Sequence, residues 1–524
     1  MQIEMSTEWD DVIANAHNRT MSCTTLLVGK SASFDGSTII ARDDDSGSGR
    51  YDPKHFVAIS PSEQPREYRS VLSKFAITLP DNPCRYSIVP NVKPDRGVLA
   101  EAGVNEHNVA MSATETIAVN TRVLAADPLE KETGFGEEDI ITLVLPYVST
   151  AREGVKRLGS LLSEYGTYES NGVIISDVND IWYVETIGGH HWMARRIPDD
   201  CYAAIPNQLS IDTLDFSDAY GEGRENLCSA DFEDFVHEHH LDLMMDAKHA
   251  AGIGFSGSDS RVLDTRAALG TANAKDHIYN TPRAWYMQRY FNPTAVEQEG
   301  LGPESDGQAF CRVPERKITI EDVDFLLGSH FEGTEFDPYG TTGTAESRHR
   351  YRPIGVNRTG HMVAMQIRPN VPEAMAAIMW ISFGSGPFTT AAPFYANVTG
   401  TPAYLRDTPA DEVSTNSLYW SNRLIAALAD GHWFETDGEI EQYIEDVQSY
   451  GLRHVEQHDI DMSREMGELA TTEINMEAVR LQLEQANEQM AEFLQNRTKK
   501  LLFKVLYICS NMMNNAFKMS DKWI

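Results

Sequence analysis

The sequence predicts an α+β fold in which antiparallel β-sheets are covered by helices. Three features carry that expectation. Short runs rich in Thr, Ile, Leu and Val, separated by turn chemistry, dominate from Thr24 to about Ala118. Helical patterns are interspersed further along. Beyond about Ser414 the character changes to long helices, so helices collect where strands have ended.

Taken in order, TTLLVG at 24–29 and STIIAR at 37–42 are strand-like runs with SFDG turn chemistry between them. VAMSAT at 109–114 follows the turn-rich GVNEHN. GVIISD and IWYVETIG, joined through Val178-Asn179-Asp180, form a hairpin pattern. Helices are expected at about Asp139–Tyr165, about Asp231–Ala251 and Arg283–Tyr290. MEAVRLQLEQANEQMAEFLQ at 476–495 has apolar residues at helical spacing and good helix formers throughout.

At 524 residues, 41% hydrophobic and 23% charged, the chain can bury a large core. Length alone suggests about three domains. No internal repeat or low-complexity linker appears, so one large domain with appendages is expected instead. A formal charge of −34 and a pI near 4.8 argue against nucleic acid or an anionic membrane as partner, because phosphates would repel such a surface. No run of about 18 apolar residues exists to span a bilayer. Residues 1–20 have no apolar core and carry Glu4, Glu8, Asp10 and Asp11, so they do not read as a secretory signal. Six cysteines without a CxxC pair form neither a disulfide framework nor a zinc spacing, and a reducing cytoplasm is the simplest home.

The leading chemical constellation sits around the first turn. If TTLLVG and STIIAR pair, the loop centre falls between about residues 32 and 36. Cys23 then lies opposite a residue between about 41 and 49, a window that holds Arg42, Asp43, Asp44 and Asp45. A thiol at a strand start beside an Arg and several carboxylates is an arrangement that tunes a nucleophile. The bland alternative is a buried cysteine beside an acidic surface turn.

MSCTTLLVGKSASFDGSTIIARDDDS resembles the start of the bacterial cysteine dipeptidases of the dipeptidase A type, which belong to the N-terminal-nucleophile hydrolases. In that family Cys-Thr-Thr closely follows the starting Met, and an Arg-x-x-Asp tetrad, here Arg42 and Asp45, closes the hairpin. Seven later segments also look familial, in order. Among them are EAGVNEHNVAMSATET at 101–116, IPNQLSI at 205–211, YNTPRAWYMQRYFNP at 279–293 and YRPIGVNRTGH at 351–361. The resemblance implies an αββα sandwich of two stacked antiparallel sheets with a helical C-terminal extension. Residues 23–413 would form the catalytic domain and 414–524 the helical region packed on it. Family members start a few residues before the cysteine, so residues 1–22 read as a leader or propeptide, with Met21 as an alternative start.

Such a site has definite chemical needs. A thiol attacks a peptide carbonyl only as thiolate, and free Cys has a pKa of about 8.5. An N-terminal Cys carries its own base, an α-amino group with a pKa of about 7.7–8.0. That amine can take the thiol proton and later return it to the leaving amine. In the uncut chain residue 23 has only an amide nitrogen, so removal of residues 1–22 is a requirement of this reading.

By resemblance, Asp45 would hold the nucleophile and its amine, Arg42 would support that carboxylate and bias the thiol toward thiolate, and Asn207 would donate to the oxyanion. Arg283 resembles the family's second arginine near the nucleophile, with Arg261 and Arg266 as rivals for that role. Glu115 stands near where acylase relatives place an oxyanion amide. A carboxylate cannot stabilise an oxyanion, so it is expected to bind the free ammonium of a dipeptide.

The resemblance implies small peptides, dipeptides of broad composition, as substrates, with no metal and no organic cofactor. A closed homo-oligomer fits the symmetry of most soluble assemblies. Two other readings use the same residues: an acylase for non-peptide amides of the penicillin V or bile-salt type, and a non-catalytic member of the fold.

Weaker signals have bland explanations. His237, His239 and His240 in HEHH lack the further ligands a zinc site needs. The spacing of Asp43–Asp45 does not follow a calcium loop. Gly252-x-Gly254-x-x-Gly257 lacks the strand and helix that a dinucleotide loop requires. Cys84, Cys201, Cys228, Cys311 and Cys509 read as packing thiols, and NMMNNAFKM as a packed helix.

Overall fold

The computed structural model describes residues 23–46, 52–95, 97–244, 261–271, 273–468 and 476–514. The glycine fingerprint at 252–257, residues 1–22 and the end of the Met-rich segment lie outside them.

Among the described residues, fifteen strands build two large antiparallel sheets. In chain order they are β1 (Thr24–Val28), β2 (Thr38–Asp45), β3 (Val57–Ile59), β4 (Tyr86–Ile88), β5 (Ala102–Asn105), β6 (Ala110–Thr116), β7 (Asn171–Ser176), β8 (Ile181–Ile187), β9 (His191–Arg196), β10 (Tyr202–Ile205), β11 (Asn226–Cys228), β12 (Cys311–Arg312), β13 (Thr359–Ile367), β14 (Ala377–Phe383) and β15 (Ala392–Tyr395). The first sheet runs β12-β10-β1-β2-β13-β14-β15 and the second β11-β9-β8-β7-β6-β5-β4-β3.

The first hairpin forms because its turn is chemically specified. Gly36 adopts φ +86°, a conformation that costs other residues strain. Asp35 Oδ1 accepts from the Ser37 backbone N–H at 3.1 Å, closing the loop. β1 then pairs with β2 from Thr24↔Asp43 to Val28↔Ile39. The expected GVIISD–IWYVETIG hairpin is β7 and β8, paired through Ile181↔Ser176.

Strand alternation decides which face each residue serves. Leu27 and Ile40 join Val104, Ala110 and Ile174 in the core between the sheets. Leu26 and Ala41 face the other way, under helices α3 (Thr281–Phe291) and α4 (Ile320–Gly328). On the far side, Val173 and Trp182 pack against helices α1 (Glu137–Val144) and α2 (Ala151–Tyr165). The layers are therefore helix, sheet, sheet, helix, the αββα sandwich that the resemblance implied.

The helices differ in detail from expectation. The single helix expected over 139–165 is two, α1 and α2, separated by a 3₁₀ turn at Leu145–Tyr147. Pro146 supplies no backbone donor there, and Thr150 Oγ1 caps the second helix by accepting from the Glu153 N–H. Of the helix expected over 231–251, the described residues form Phe232–Glu238 before the chain turns at His240, where φ is +52°, and residues 245–251 lie outside the described residues.

The long C-terminal helices are α5 (Leu418–Ala429), α6 (Trp433–Glu468) and α7 (Met476–Asn511). The core between the sheets continues into them through Leu418, Ile425, Met490 and Leu494. Asn487 on α7 accepts from the Tyr395 N–H at 2.8 Å and donates to the Tyr395 carbonyl at 3.0 Å. That contact covers the open edge at β15, which would otherwise leave backbone groups unpaired. Among the described residues, no helix is long and apolar enough to cross a membrane.

Candidate active site

The hairpin register puts Thr24 opposite Asp43, so Cys23 lies across from Asp44, inside the expected window. Alternation then splits the RDDD run. Arg42 and Asp44 share the inter-sheet face with Ile40, and Asp43 and Asp45 share the opposite face with Ala41.

On the inter-sheet face, Arg42 Nη2 donates to Cys23 Sγ. The same nitrogen pairs with Glu101 Oε2 at 2.6 Å, and the thiol lies 4.0 Å from that oxygen. Glu101 comes from the residue just before β5, so the second sheet supplies the carboxylate and the first supplies the thiol and its guanidinium. Asp44 pairs with Lys54 Nζ at 2.7 Å and faces His361 Nδ1 at 3.3 Å. All of these groups are buried; Cys23, Arg42 and His361 are 0% exposed.

Burial works against every charge in this cluster, and the neighbours decide which charges survive. Burial raises the Asp44 carboxyl, but Lys54 and His361 outweigh it and hold the group well below the usual carboxylate range. Burial lowers the Lys54 ammonium, yet the Asp44 carboxylate beside it carries it above its ordinary value. His361 is pushed down to about 4 by burial despite Asp44, so it is neutral near pH 7. For Glu101 burial wins over Arg42, and its carboxyl lies well above the ordinary range. The short ion-pair distance to Arg42 alone would suggest the reverse. Neither side chain meets solvent, and the cost of burying the charge outweighs the ion pair.

On the opposite face the backbone of Cys23 is clamped. Arg283 Nη1 donates to the Cys23 carbonyl at 2.6 Å and to Thr24 Oγ1 at 2.7 Å. Its Nη2 donates to Asn207 Oδ1 and to Asn280 Oδ1, each at 2.8 Å. The Thr24 N–H donates to Asp43. Asp45 takes a hydrogen bond from Arg352 and another from Thr359 Oγ1 at 2.6 Å. The Tyr279 ring lies under both guanidinium groups, 5.3 Å from Arg283 and 5.4 Å from Arg352.

Five of the expected site residues thus gather here: Cys23, Arg42, Asp45, Asn207 and Arg283. Asp45 reaches the first strand through Arg352, which also contacts Thr24 Oγ1 at 3.4 Å. Of the three candidate arginines, Arg283 is the one that contacts Cys23. Arg261 pairs with Glu233 at the surface. Arg266 donates to the carbonyls of Ser210 and Gln308.

The loop carrying Asn207 is propped from below by Glu185, whose Oε1 accepts from the Ser210 N–H at 2.5 Å. Burial pushes Glu185 up to about 8. Glu115 lies in β6 opposite Gly172, and its side chain is outside the described part of the structure. Its strand position is two residues beyond Ala113, whose N–H donates to the Glu101 carbonyl at 3.2 Å.

Sequence reasoning missed Glu101, Lys54, Asp44 as a partner of Lys54, Arg352 and His361. Signals did exist. Glu101 heads EAGVNEHN, and Arg352 and His361 lie within the YRPIGVNRTGH segment. Cys23, Asp44 and Glu101 also offer ligand atoms within 4.8 Å of one another, and these are the groups that Arg42 and Lys54 neutralise. The HEHH histidines contribute to no three-ligand group among the described residues. A cavity of 720 Å³ lies elsewhere, lined by Glu321, His330, Trp433 and Glu441, and does not include Cys23.

Comparison with known proteins bears on the same residues. The model of peptidase family C69 matches residues 22–446, a span that starts one residue before Cys23. The chain is 47% identical over 545 aligned positions to a dipeptidase of Bifidobacterium longum, covering 96% of this chain and 100% of the relative. It is 48% identical to a probable dipeptidase A of Streptococcus pyogenes, covering 95% and 98%. It is 40% identical to dipeptidase A of Lactobacillus helveticus, covering 95% and 99%.

Proposed function

The chain belongs to peptidase family C69, and from that premise we propose that it hydrolyses dipeptides through an acyl-enzyme on Cys23. The observation that supports this most directly is the Cys23 thiol held at a strand start under the Arg42 guanidinium, with Arg283 on its own carbonyl. A sulfur so placed has a cation to stabilise its anion and a backbone that cannot swing away.

Catalysis is assigned to residues 23–413, with residues 414–524 as a helical extension. Once the bond before Cys23 is cut, the freed α-amine accepts the thiol proton. The sulfur attacks the peptide carbonyl carbon, and negative charge develops on the carbonyl oxygen. The Asn207 side-chain amide donates to that oxygen, while the C–N bond breaks and the amine proton passes to the leaving group. Water then hydrolyses the thioester and frees the acid product. Asp45 acts through Arg352 and Thr359 to hold the nucleophile strand.

The amine requirement is directly measurable. Intact mass of the purified active protein is expected to correspond to a chain beginning at Cys23. Active protein that retains residues 1–22 would sink the mechanism.

Glu115 is assigned to the α-ammonium of the dipeptide. Glu115→Gln is expected to raise KM for free dipeptides by about tenfold or more, the loss of one charge-assisted hydrogen bond, while N-acetylated dipeptides change little. An undiminished preference for free N-termini in the variant would remove Glu115 from the site.

A further inference from the structure

Arg42 does not serve the thiol alone. Its Nη2 touches both Cys23 Sγ and Glu101 Oε2, and those two acids are 4.0 Å apart with no solvent at either. We propose that Glu101 sets the ionisation of Cys23: thiol and carboxyl share the Arg42 guanidinium and hold one proton between them, so the thiolate forms against a neutral Glu101. The proposal rests on Cys23 being the nucleophile.

The argument begins with charge. Two anions 4.0 Å apart in a low-dielectric site repel strongly, and one guanidinium offsets one of them. Lys54 also favours the ionised carboxyl, but it is engaged by Asp44 at 2.7 Å and burial outweighs it, and His361 is neutral near pH 7. Asp44 and Glu137 add negative potential at Glu101. Burial already favours the protonated carboxyl. The remaining oxygen, Glu101 Oε1, is buried with no hydrogen-bond partner among the described residues. An ionised carboxylate would leave charge on an oxygen that nothing donates to, which costs more than leaving a neutral one there.

A proton held by such a pair belongs to both groups, and the two titrate in coupled steps. With Glu101 neutral, Arg42 acts on the sulfur alone. With Glu101 ionised, the same guanidinium is divided and the thiol keeps its proton. Glu101 thereby limits thiolate at high carboxylate ionisation, while the α-amine carries the proton during turnover.

The test reads the thiol and not peptide hydrolysis, so its failure is separable from failure of the dipeptidase reading. The rate of Cys23 alkylation by iodoacetamide is followed against pH on the whole purified protein, with the Cys23 peptide quantified by mass spectrometry. Glu101→Gln keeps the shape and fixes the neutral state that Glu101 holds beside the thiolate. Its alkylation midpoint is expected to stay within about half a pH unit of the parent value. A midpoint that falls by about one pH unit or more in Glu101→Gln shows that the parent thiol titrates against a carboxylate, and overturns the proposal.

Should Glu101→Gln not fold, the unaltered protein provides the second readout. Alkylation converts thiolate to neutral thioether, so Glu101 is expected to ionise and lose its carboxylic C=O band in the infrared difference spectrum. A difference spectrum without that loss overturns the proposal equally.

Discussion

Cys23→Ser is expected to lower kcat/KM for an unmodified dipeptide by more than about 10⁴-fold, the scale on which removing a nucleophile acts. The substitution changes one atom in a site that is 0% exposed. Serine still accepts from Arg42, and the Arg283 clamp grips the backbone carbonyl and Thr24, not the side chain. The fold should therefore survive, with thermal unfolding within a few degrees of the parent. The loss is chemical, because the hydroxyl ionises at a pH far above that of a thiol and no group on the inter-sheet face is a strong enough base to compensate. Full peptidase activity in the folded variant would remove Cys23 from the chemistry and reopen the non-catalytic reading of this fold.

What could be read from the sequence follows from how local each determinant is. The Cys23–Arg42 juxtaposition was legible because the SFDG turn fixes the hairpin centre to within a few residues, and strand pairing then carries position 23 to position 44. The splitting of Arg42 and Asp44 from Asp43 and Asp45 follows from the same register. Which face turns toward the second sheet, however, depends on packing that no local pattern encodes.

Glu101 shows the limit. Nothing local in the run EAGVN marks its glutamate as a site residue, and only the stacking of the second sheet brings it beneath a thiol 78 residues away. Lys54 and His361 are hidden for the same reason. A lysine near a turn and a histidine within TGHMVAMQI look unremarkable until both converge on Asp44. The single expected helix over 139–165 broke where Pro146 interrupts an otherwise continuous apolar pattern, a local signal that periodicity averaged away.

The hairpin face toward α3 and the face toward the second sheet have separate tasks. The inter-sheet face sets the charge on sulfur through Arg42 and Glu101. The opposite face fixes geometry: Arg283 ties the Cys23 carbonyl, Thr24, Asn207 and Asn280 into one unit. Because Arg283 donates to Asn207 Oδ1, the Asn207 amide is held with Nδ2 as its donor end, already oriented before substrate arrives. Donors fixed in advance stabilise a developing charge without reorganising.

Asn207→Ala should accordingly lower kcat by about 10²–10³-fold with KM nearly unchanged, since the oxyanion exists only near the transition state. Arg283 would retain Asn280 and the Cys23 carbonyl as acceptors, so the clamp on the nucleophile survives the truncation. Glu185 and Arg266 would still hold the loop through Ser210. Steady-state kinetics on a dipeptide panel distinguish the outcomes. A rise in KM at constant kcat would make Asn207 a substrate contact in the ground state, and an unchanged kcat/KM would make it a turn residue that happens to satisfy Arg283.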